Sequence, residues 1–266
     1  MDKRAIGVFD SGVGGIAVFK EIIENNPNEN IIYLGDTKRF PYGNKSKESI
    51  IELTKNGIEF LMQKDVKEII IACGTATSQA LEEVRKIYNI PIIGIIEATV
   101  KYVKKENIKN IGVMATVGTI RSDAWRKSIL KEVPEAKIIN KACALLAPMA
   151  EEGWIDNKIA QLTIREYLKE ISKENEIEAV ILGCTHYPLF KNIIKKELRS
   201  NVKIIDTGEI LSKELREELT KNGMQNEENK PEYKIFLTDI ETNFKNVATK
   251  LLQKEDIIKN IELAKI

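Results

Sequence analysis

Residues 179–188 read Ala-Val-Ile-Leu-Gly-Cys-Thr-His-Tyr-Pro and include the only histidine of the 266-residue chain. Four apolar residues that run into Gly183 and a small polar cluster predict a buried strand that ends in a loop. In open α/β sheets, ligand sites lie in the loops at the carboxyl ends of the strands. Such a loop would place the thiol of Cys184 and the imidazole of His186 where they can exchange protons.

The Cys184 thiol has two other interpretations. A free cysteine is among the most buried residue types and often packs as a small apolar side chain. Cysteine and histidine are also zinc ligands, but the chain has three cysteines and one histidine. No two of these cysteines have the C-x₂₋₄-C spacing typical of zinc sites. We therefore predict no metal site, and packing and catalysis both stay open on this stretch alone.

The amino-acid composition argues against nucleic acid and membranes as binding partners. The 41 Lys and Arg residues nearly balance the 40 Asp and Glu residues, so the net charge of +1 gives no drive towards nucleic acid or acidic membranes. No apolar run approaches the ~18 residues of a membrane-spanning helix, and we expect no export signal. An odd number of cysteines without an export signal is typical of reduced thiols, so we predict a cytoplasmic location.

A second strand that ends in a cysteine predicts an internal duplication. Residues 68–72 read Glu-Ile-Ile-Ile-Ala, which predicts a strand that is apolar after Glu68. It leads into Cys73, which lies 111 residues before Cys184. The sequence Ile-Gly-Val at residues 6–8 recurs at 111–113, which is 105 residues later. Two features that recur in the same order at nearly the same offset indicate two copies of a small α/β unit.

We therefore predict an α/β fold of two similar parallel-sheet domains related by a pseudo-twofold axis, with the active site in the cleft between them. The first domain would comprise residues 1–97 and 207–266, and the second residues 98–206. The polar linker at 225–231 precedes a strand at 233–237, and the simplest arrangement returns this tail to the first domain.

A glycine-rich turn follows the first strand and supports an alternative function. Residues 10–15 read Asp-Ser-Gly-Val-Gly-Gly, and such turns often bind anions through backbone N–H groups at a helix N-terminus. The G-x-G-G spacing does not match the dinucleotide fingerprint G-x-G-x-x-G, and the charge of Asp10 opposes a phosphate. An anion- or nucleotide-binding module is the alternative. Asp10 is a proton-handling group, a group that binds a substrate ammonium, or a cap of the turn.

Facing domains would bring the two strand-end thiols into one cleft. Cys73 would have Asp10 on a neighbouring strand, and Cys184 would have His186 beside it. Free cysteine has a pKa of roughly 8.5, near enough to neutral for a thiol and a thiolate to coexist. Two acid/base groups on opposite sides of one carbon suit an isomerisation. No C-x-x-C pair is present, which disfavours a thiol–disulfide enzyme.

The chain resembles the glutamate racemases of the cofactor-independent aspartate/glutamate racemase superfamily. The matching segments occur in the family order and are residues 9–15, 35–37, 41–43, 72–76 and 183–189. Aspartate racemases have Glu where this chain has His186, so this position favours glutamate. A racemase of another amino acid, such as aspartate, is the nearer alternative.

The resemblance implies a two-base mechanism with no cofactor. Cys73, assisted by Asp10, would act on the α-proton from the D side, and Cys184, assisted by His186, from the L side. The positions that hold the substrate in the family correspond to Asp10, Ser11, Tyr42, Gly43, Gly74, Thr75, Thr185 and His186. Family members commonly form homodimers and supply D-glutamate for peptidoglycan.

Gly74 departs from the family pattern, and Glu151, Glu152 and Cys143 lie outside the matching segments. Many family members have Asn where this chain has Gly74, and loss of one hydrogen bond to a charged group costs roughly 1.5–3 kcal/mol. The family has an acidic residue near Glu151 and Glu152 that enters the site, and the sequence does not distinguish between them. Cys143 lies in an apolar context without His, Asp or Thr beside it, so we predict a packing role.

Overall fold

A computed structural model describes residues 2–174, 176–227, 230–240, 242–252, 257 and 261–266. Its strands, in chain order, are β1 (Ile6–Asp10), β2 (Ile31–Gly35), β3 (Glu68–Ile71), β4 (Ile92–Gly94), β5 (Asn110–Ala115), β6 (Lys137–Ala142), β7 (Ala179–Leu182), β8 (Lys203–Asp206), β9 (Tyr233–Leu237) and β10 (Ile261–Leu263). Most strand residues are apolar and buried, as expected for strands covered by helices on both faces.

Helices connect these strands. They are α1 (Gly15–Asn25), α2 (Lys47–Met62), α3 (Gly74–Ile87), α4 (Ile95–Lys105), α5 (Val117–Ser122), α6 (Ala124–Glu132), α7 (Leu146–Glu151), α8 (Lys158–Lys173), α9 (Lys191–Glu197), α10 (Thr207–Lys221) and α11 (Thr242–Leu252). Short 3₁₀ segments lie at Thr37–Arg39, Tyr42–Asn44 and Tyr187–Phe190. Within the described ranges, none of the helices combines the length and apolar character needed to cross a membrane.

The strands form two sheets whose described pairs are all parallel. The first sheet has the order β10-β9-β2-β1-β3-β4, and the second has the order β6-β5-β7-β8. The predicted fold of two parallel-sheet α/β domains is therefore confirmed. In each sheet, the first strand of the unit lies between the second and the third, and the fourth lies beyond the third. The two Ile-Gly-Val segments lie in the equivalent strands β1 and β5, at the first residue of β1 and the second of β5, as the duplication predicts.

The sheets draw their strands from different parts of the chain. Residues 6–94 and 233–263 supply the first sheet, and residues 110–206 supply the second. The domain boundaries at residues 97/98 and 206/207 stay a prediction. Of the polar linker at 225–231, residues 228 and 229 lie outside the described residues.

One predicted strand is shorter than expected. The apolar run at residues 90–96 predicts a strand, but β4 ends at Gly94 and α4 begins at Ile95. Ile95 and Ile96 are buried at the start of this helix. An apolar run does not distinguish a buried strand from the buried first turn of a helix. Helix α4 leads from the first sheet to the second, and α10 leads back.

Candidate active site

The two strand-end cysteines line one narrow cavity of about 50 Å³. Cys73 follows β3 and is the residue before α3, whereas Cys184 follows β7. Their side chains are buried, with 5% and 6% exposure. The same cavity is lined by seven of the other predicted site residues, which are Ser11, Tyr42, Gly43, Gly74, Thr75, Thr185 and His186.

A hydrogen-bonded chain extends from Cys184 through His186 to Glu151. The sulfur of Cys184 lies 3.8 Å from Nδ1 of His186, and Nε2 of that ring lies 2.6 Å from Oε1 of Glu151. Burial lowers the pKa of His186, but the hydrogen bonds to Cys184 and Glu151 outweigh it and raise the pKa well above its ordinary value. This arrangement favours an imidazolium beside Cys184.

Glu151 is thus the acidic residue that reaches the site. It is the last residue of α7, and its neighbour Glu152 is exposed. The sequence did not distinguish the two because α7 spans only six residues, Leu146–Glu151. Helix periodicity needs a longer segment to show which side chain faces inward.

The Cys73 thiol has a different environment. Its sulfur donates to Oγ of Ser11 across 3.4 Å. Burial, with a contribution from the charge of Asp10, raises the pKa of Cys73 to about 12. At neutral pH Cys73 is therefore a thiol, able to give a proton but not to remove one until it is deprotonated.

Asp10 is completely buried at the end of β1. Its Oδ1 accepts from the backbone N–H of Gly12 at 3.0 Å, and its Oδ2 accepts from Oγ1 of Thr185 at 3.2 Å. Burial raises the pKa of Asp10 to about 6, although the charge of His186 and these hydrogen bonds oppose the shift. Asp10 thus caps its own turn and also contacts the loop of the second sheet.

The glycine-rich turn packs against that loop rather than leaving an open concavity. A Cβ added at Gly14 would collide with the ring of His186 and with Oγ1 of Thr185, and one added at Gly15 would collide with Asp10. Gly14 therefore permits the close approach of the turn to the loop of the second sheet, whereas Gly15 permits the turn to pack against the end of its own strand. The space near the turn that a phosphate would need is filled by side chains.

Three threonine hydroxyls meet across the cleft. Oγ1 of Thr75 lies 2.9 Å from that of Thr116 and 3.3 Å from that of Thr119. Thr116 lines the cavity and was missed by the sequence analysis. The internal duplication could have predicted this position. Thr116 lies 105 residues after Ser11, the same offset that separates the two Ile-Gly-Val segments.

Tyr42 is anchored by a buried carboxylate. Its hydroxyl donates to Oδ2 of Asp36 at 2.5 Å, and Oδ1 of Asp36 accepts from Thr238 and from Arg39, each at 2.8 Å. Burial, together with the charge of Asp36, raises the pKa of Tyr42. These contacts fix the loop that carries Tyr42 and Gly43 against the cavity.

The loops of the two cysteines touch each other. A Cβ added at Gly74 would collide with the backbone carbonyl oxygen of Gly183, so an asparagine side chain does not fit there in this arrangement. Cys143 also borders the cavity. It is 1% exposed, and its sulfur donates to the carbonyl of Lys141 at 3.5 Å. In the described part of the chain, no group of three or more His, Cys, Asp and Glu side chains could hold a metal ion.

Comparisons with known proteins point to one family. Residues 6–215 match the Asp/Glu/Hydantoin racemase family. The chain is 41% identical over 264 residues to the glutamate racemase of Persephonella marina, with 98% of each chain covered. It is 38% identical over 255 residues to that of Geobacter metallireducens, with 95% of this chain and 94% of the relative covered.

A comparison with solved structures points to the same family. The glutamate racemase of Francisella tularensis, in complex with D-glutamate, aligns with a TM-score of 0.93 and 40% identity, covering 100% of this chain and 98% of that one. The predicted resemblance is confirmed by these matches. A family model that matches most of the chain, together with relatives aligned over nearly their whole length, shows that this chain belongs to the Asp/Glu/hydantoin racemase family of isomerases.

Proposed function

We propose that this protein interconverts L- and D-glutamate by a two-base mechanism in which Cys73 and Cys184 act on opposite sides of the α-carbon. The observation that carries the proposal is that both thiols line the same narrow cavity, one from each sheet. A proton removed on one side and returned on the other inverts the configuration. Glutamate is the amino acid named for the relatives described above.

In the direction from L- to D-glutamate, Cys184 as a thiolate removes the α-proton and becomes a thiol. The His186 imidazolium, paired with Glu151, lies 3.8 Å from the Cys184 sulfur and can donate to the thiolate. The electron pair of the broken C–H bond stays on the substrate as a carbanion. Cys73, a thiol at neutral pH, then gives its proton to the opposite side of this carbon.

In the reverse direction, Cys73 has to lose its proton before it can act as a base. Asp10, with a pKa raised to about 6, is mostly a carboxylate at neutral pH and is the proposed proton acceptor. General acid–base catalysis is most effective when the pKa of the group lies near the working pH. Each thiol thus has a different proposed partner for proton transfer, His186 for Cys184 and Asp10 for Cys73.

Hydroxyl and backbone N–H groups would hold the substrate. We assign this role to the side chains of Ser11, Thr75 and Thr185 and to backbone groups of Gly43 and Gly74. Tyr42 and His186 line the same cavity, but the Tyr42 hydroxyl donates to Asp36 and the ring nitrogens of His186 contact Cys184 and Glu151, so these two side chains would border the substrate without donating to it. Asp10, which accepts from Thr185, would attract the substrate ammonium through its charge. Hydrogen bonds to charged groups are stronger than those between neutral groups. Two carboxylates can therefore be bound without an arginine.

We extend the proposal to the cellular role. D-glutamate made by this enzyme would be used for peptidoglycan synthesis, in the cytoplasm, and the protein would act as a homodimer. Light scattering after size-exclusion chromatography tests the last point, since a homodimer of this 30.1 kDa chain would have twice that mass.

The direct test is circular-dichroism spectroscopy of D-glutamate incubated with purified protein in buffer free of metal and pyridoxal phosphate. D-glutamate is expected to lose its circular-dichroism signal completely as it becomes racemic, whereas D-aspartate is expected to keep its signal over the same time. Cys73→Ala and Cys184→Ala should each abolish the reaction, and Cys143→Ala should remain active as the matched control. Faster loss of signal with D-aspartate than with D-glutamate would overturn the assignment of the substrate.

A further inference from the structure

A pocket of about 290 Å³ lies beside the thiol cavity, the cavity lined by Cys73 and Cys184, and carries three cationic side chains. Its walls come from the loop that leads into α2, the second turn of α3 and the end of α5. The first two segments belong to the part of the chain that forms the first sheet, whereas α5 follows β5 of the second sheet. We call it the cationic pocket and define it by Lys45, Lys47, Gln79 and Arg121.

The walls of the cationic pocket continue from those of the thiol cavity. Val117 lines the thiol cavity, and its neighbour Gly118 lines the cationic pocket. A Cβ added at Gly118 would come within 2.7 Å of the carbonyl oxygen of Gly43, which borders the thiol cavity, and within 3.1 Å of Nε2 of Gln79. The close contact between these segments therefore separates two neighbouring pockets.

The cations of this pocket lack an acidic partner in the described part of the chain. Lys45, Lys47 and Arg121 form no ion pair there, and the described lining of the pocket includes no Asp or Glu. The whole chain has 41 basic and 40 acidic residues, so this local excess of positive charge does not follow from the composition. Because like charges repel one another, an anion in the pocket would be stabilised by all three cations.

The donors of the cationic pocket are accessible to a ligand. Lys47 and Arg121 are exposed, and Lys45 and Gln79 are partly exposed. Their side-chain nitrogens have no hydrogen-bond partner among the described residues. The serine hydroxyls of the lining, by contrast, already donate to neighbouring oxygen atoms. A ligand would therefore be bound by two ammonium groups, one guanidinium and one amide.

We propose that the cationic pocket binds a phosphate group, with Lys45 and Lys47 on one side of it and Arg121 on the other. A phosphate group carries close to two negative charges at neutral pH and has three strong acceptor oxygens, which match these donors. A water occupies about 30 Å³, so the five atoms of a phosphate group would fill about half of the pocket and leave room for an attached carbon chain. This site is separate from the proposed racemisation and does not depend on it.

The test is isothermal titration of the full-length protein with glycerol 3-phosphate in a phosphate-free buffer at pH 7.5. Wild type is expected to bind, and its affinity should fall at least threefold when potassium chloride is raised from about 50 to about 300 mM, because salt screens exposed charges. Lys47→Gln and Arg121→Gln should each lower the affinity at least threefold, and the double variant at least tenfold. Lys127→Gln, which removes an exposed cation of α6, is the matched control and should bind like wild type.

Two further titrations identify the group that is recognised. Glycerol should give no binding heat, since it has no phosphate. Stronger binding of glycerol 3-phosphate than of inorganic phosphate would identify an organic phosphate as the ligand, and the reverse order would identify the free phosphate ion.

The same variants separate this pocket from the thiol cavity. A phosphate bound in the thiol cavity would give equal affinity in wild type and in the double variant of Lys47 and Arg121, which would overturn the proposal. Binding of neither phosphate to wild type, or equal binding of glycerol, would also overturn it. If the double variant fails to fold, the single variants decide, and affinities equal to that of Lys127→Gln would contradict the proposed site.

Discussion

Oε1 of Glu151 lies 2.6 Å from Nε2 of His186, whose other ring nitrogen faces the sulfur of Cys184. This contact connects a partly exposed carboxylate on α7 to a buried thiol. It also explains why the pKa of a fully buried histidine is raised rather than lowered, since its hydrogen bonds to Cys184 and Glu151 favour the charged ring. In the proposed mechanism, Glu151 would therefore act on Cys184 through His186, by holding the charged ring against the thiol.

Replacing Glu151 with Gln should lower kcat/KM for glutamate by roughly 10- to 100-fold, a part of what general acid–base catalysis contributes. Without the negative charge, the pKa of His186 falls, so the imidazolium is lost at a lower pH. The defect should therefore be larger at pH 8 than at pH 6.5. Glu152→Gln, which alters the exposed neighbour, should behave like wild type at both pH values.

Primary deuterium isotope effects can identify the thiol whose proton transfer depends on Glu151. Because the equilibrium constant between enantiomers is one, kcat/KM has to fall equally in both directions and cannot itself distinguish the two thiols. The primary deuterium effect on kcat/KM should instead rise for α-deuterated L-glutamate, from which Cys184 would remove the deuteron in the proposed mechanism. A larger rise of the deuterium effect with α-deuterated D-glutamate would show that Glu151 acts on Cys73 and would contradict the proposed role of Glu151.

Asp10 should set the acidic limb of the pH profile. Its pKa is raised to about 6, so it is a carboxylate above that pH and becomes protonated below it. We expect kcat/KM to fall as the pH decreases through about 6, because protonated Asp10 cannot accept the Cys73 proton. Asp10→Asn should abolish this limb and raise the deuterium effect for α-deuterated D-glutamate. A variant that keeps the limb unchanged would show that another group titrates there.

Gly74 should be intolerant of any side chain. A Cβ at this position would collide with the carbonyl oxygen of Gly183, which belongs to the backbone and cannot rotate away. Overpacking typically costs about 1–3 kcal/mol, so Gly74→Ala should lower the free energy of unfolding in urea by that amount. It should also lower kcat/KM at least tenfold by separating the cysteine loops.

The matched control for Gly74 is Gly208→Ala. Gly208 also lies in the first turn of a helix, but its added Cβ would meet the nearest atoms of Val18 at 3.2 and 3.3 Å, where a small shift suffices. This variant should change the free energy of unfolding by less than about 1 kcal/mol. Equal tolerance at both positions would contradict the close contact between the cysteine loops.

The hydroxyl of Tyr42 should contribute to stability through Asp36. Both residues are buried, and Tyr42→Phe removes a donor from a carboxylate, at a cost of about 1.5–3 kcal/mol in the free energy of unfolding. Tyr88 makes a similar 2.5 Å hydrogen bond to Glu59 in an exposed setting, where solvent competes. Tyr88→Phe should therefore cost less than about 1 kcal/mol. Equal losses in the free energy of unfolding for the two variants would show that burial does not strengthen the hydrogen bond to Asp36.

The sequence predicted the elements whose signal is local. The strands before Cys73 and Cys184 are continuous apolar runs that end in small residues, and the loops after them were correctly expected to meet. The features that the sequence did not predict depend on how the elements pack against one another. Glu151 differs from Glu152 only in which side chain a six-residue helix turns inward. The start of α4 at Ile95 was hidden because its first residues are as apolar as the strand before them.

Some features required the relation between the two halves of the chain. Thr116 has no catalytic neighbour in sequence, and only its equivalence to Ser11 in the duplicated unit indicates a place in the cleft. The last strand, β10, is three residues long and pairs at the edge of the first sheet, so its short apolar pattern gives no prediction. Short segments held by tertiary contacts are the ones that local patterns miss.

The central claim is that two different groups, Cys73 and Cys184, handle the α-proton on opposite sides of one carbon. The most direct test is the reaction of L-glutamate in D₂O with wild-type protein, stopped at low conversion and analysed by proton NMR after separation of the enantiomers. The account predicts that the D-glutamate formed carries deuterium at the α-carbon, while the remaining L-glutamate keeps its proton. D-glutamate that retains the original α-proton, or deuterium appearing equally fast in the remaining L-glutamate, would contradict it.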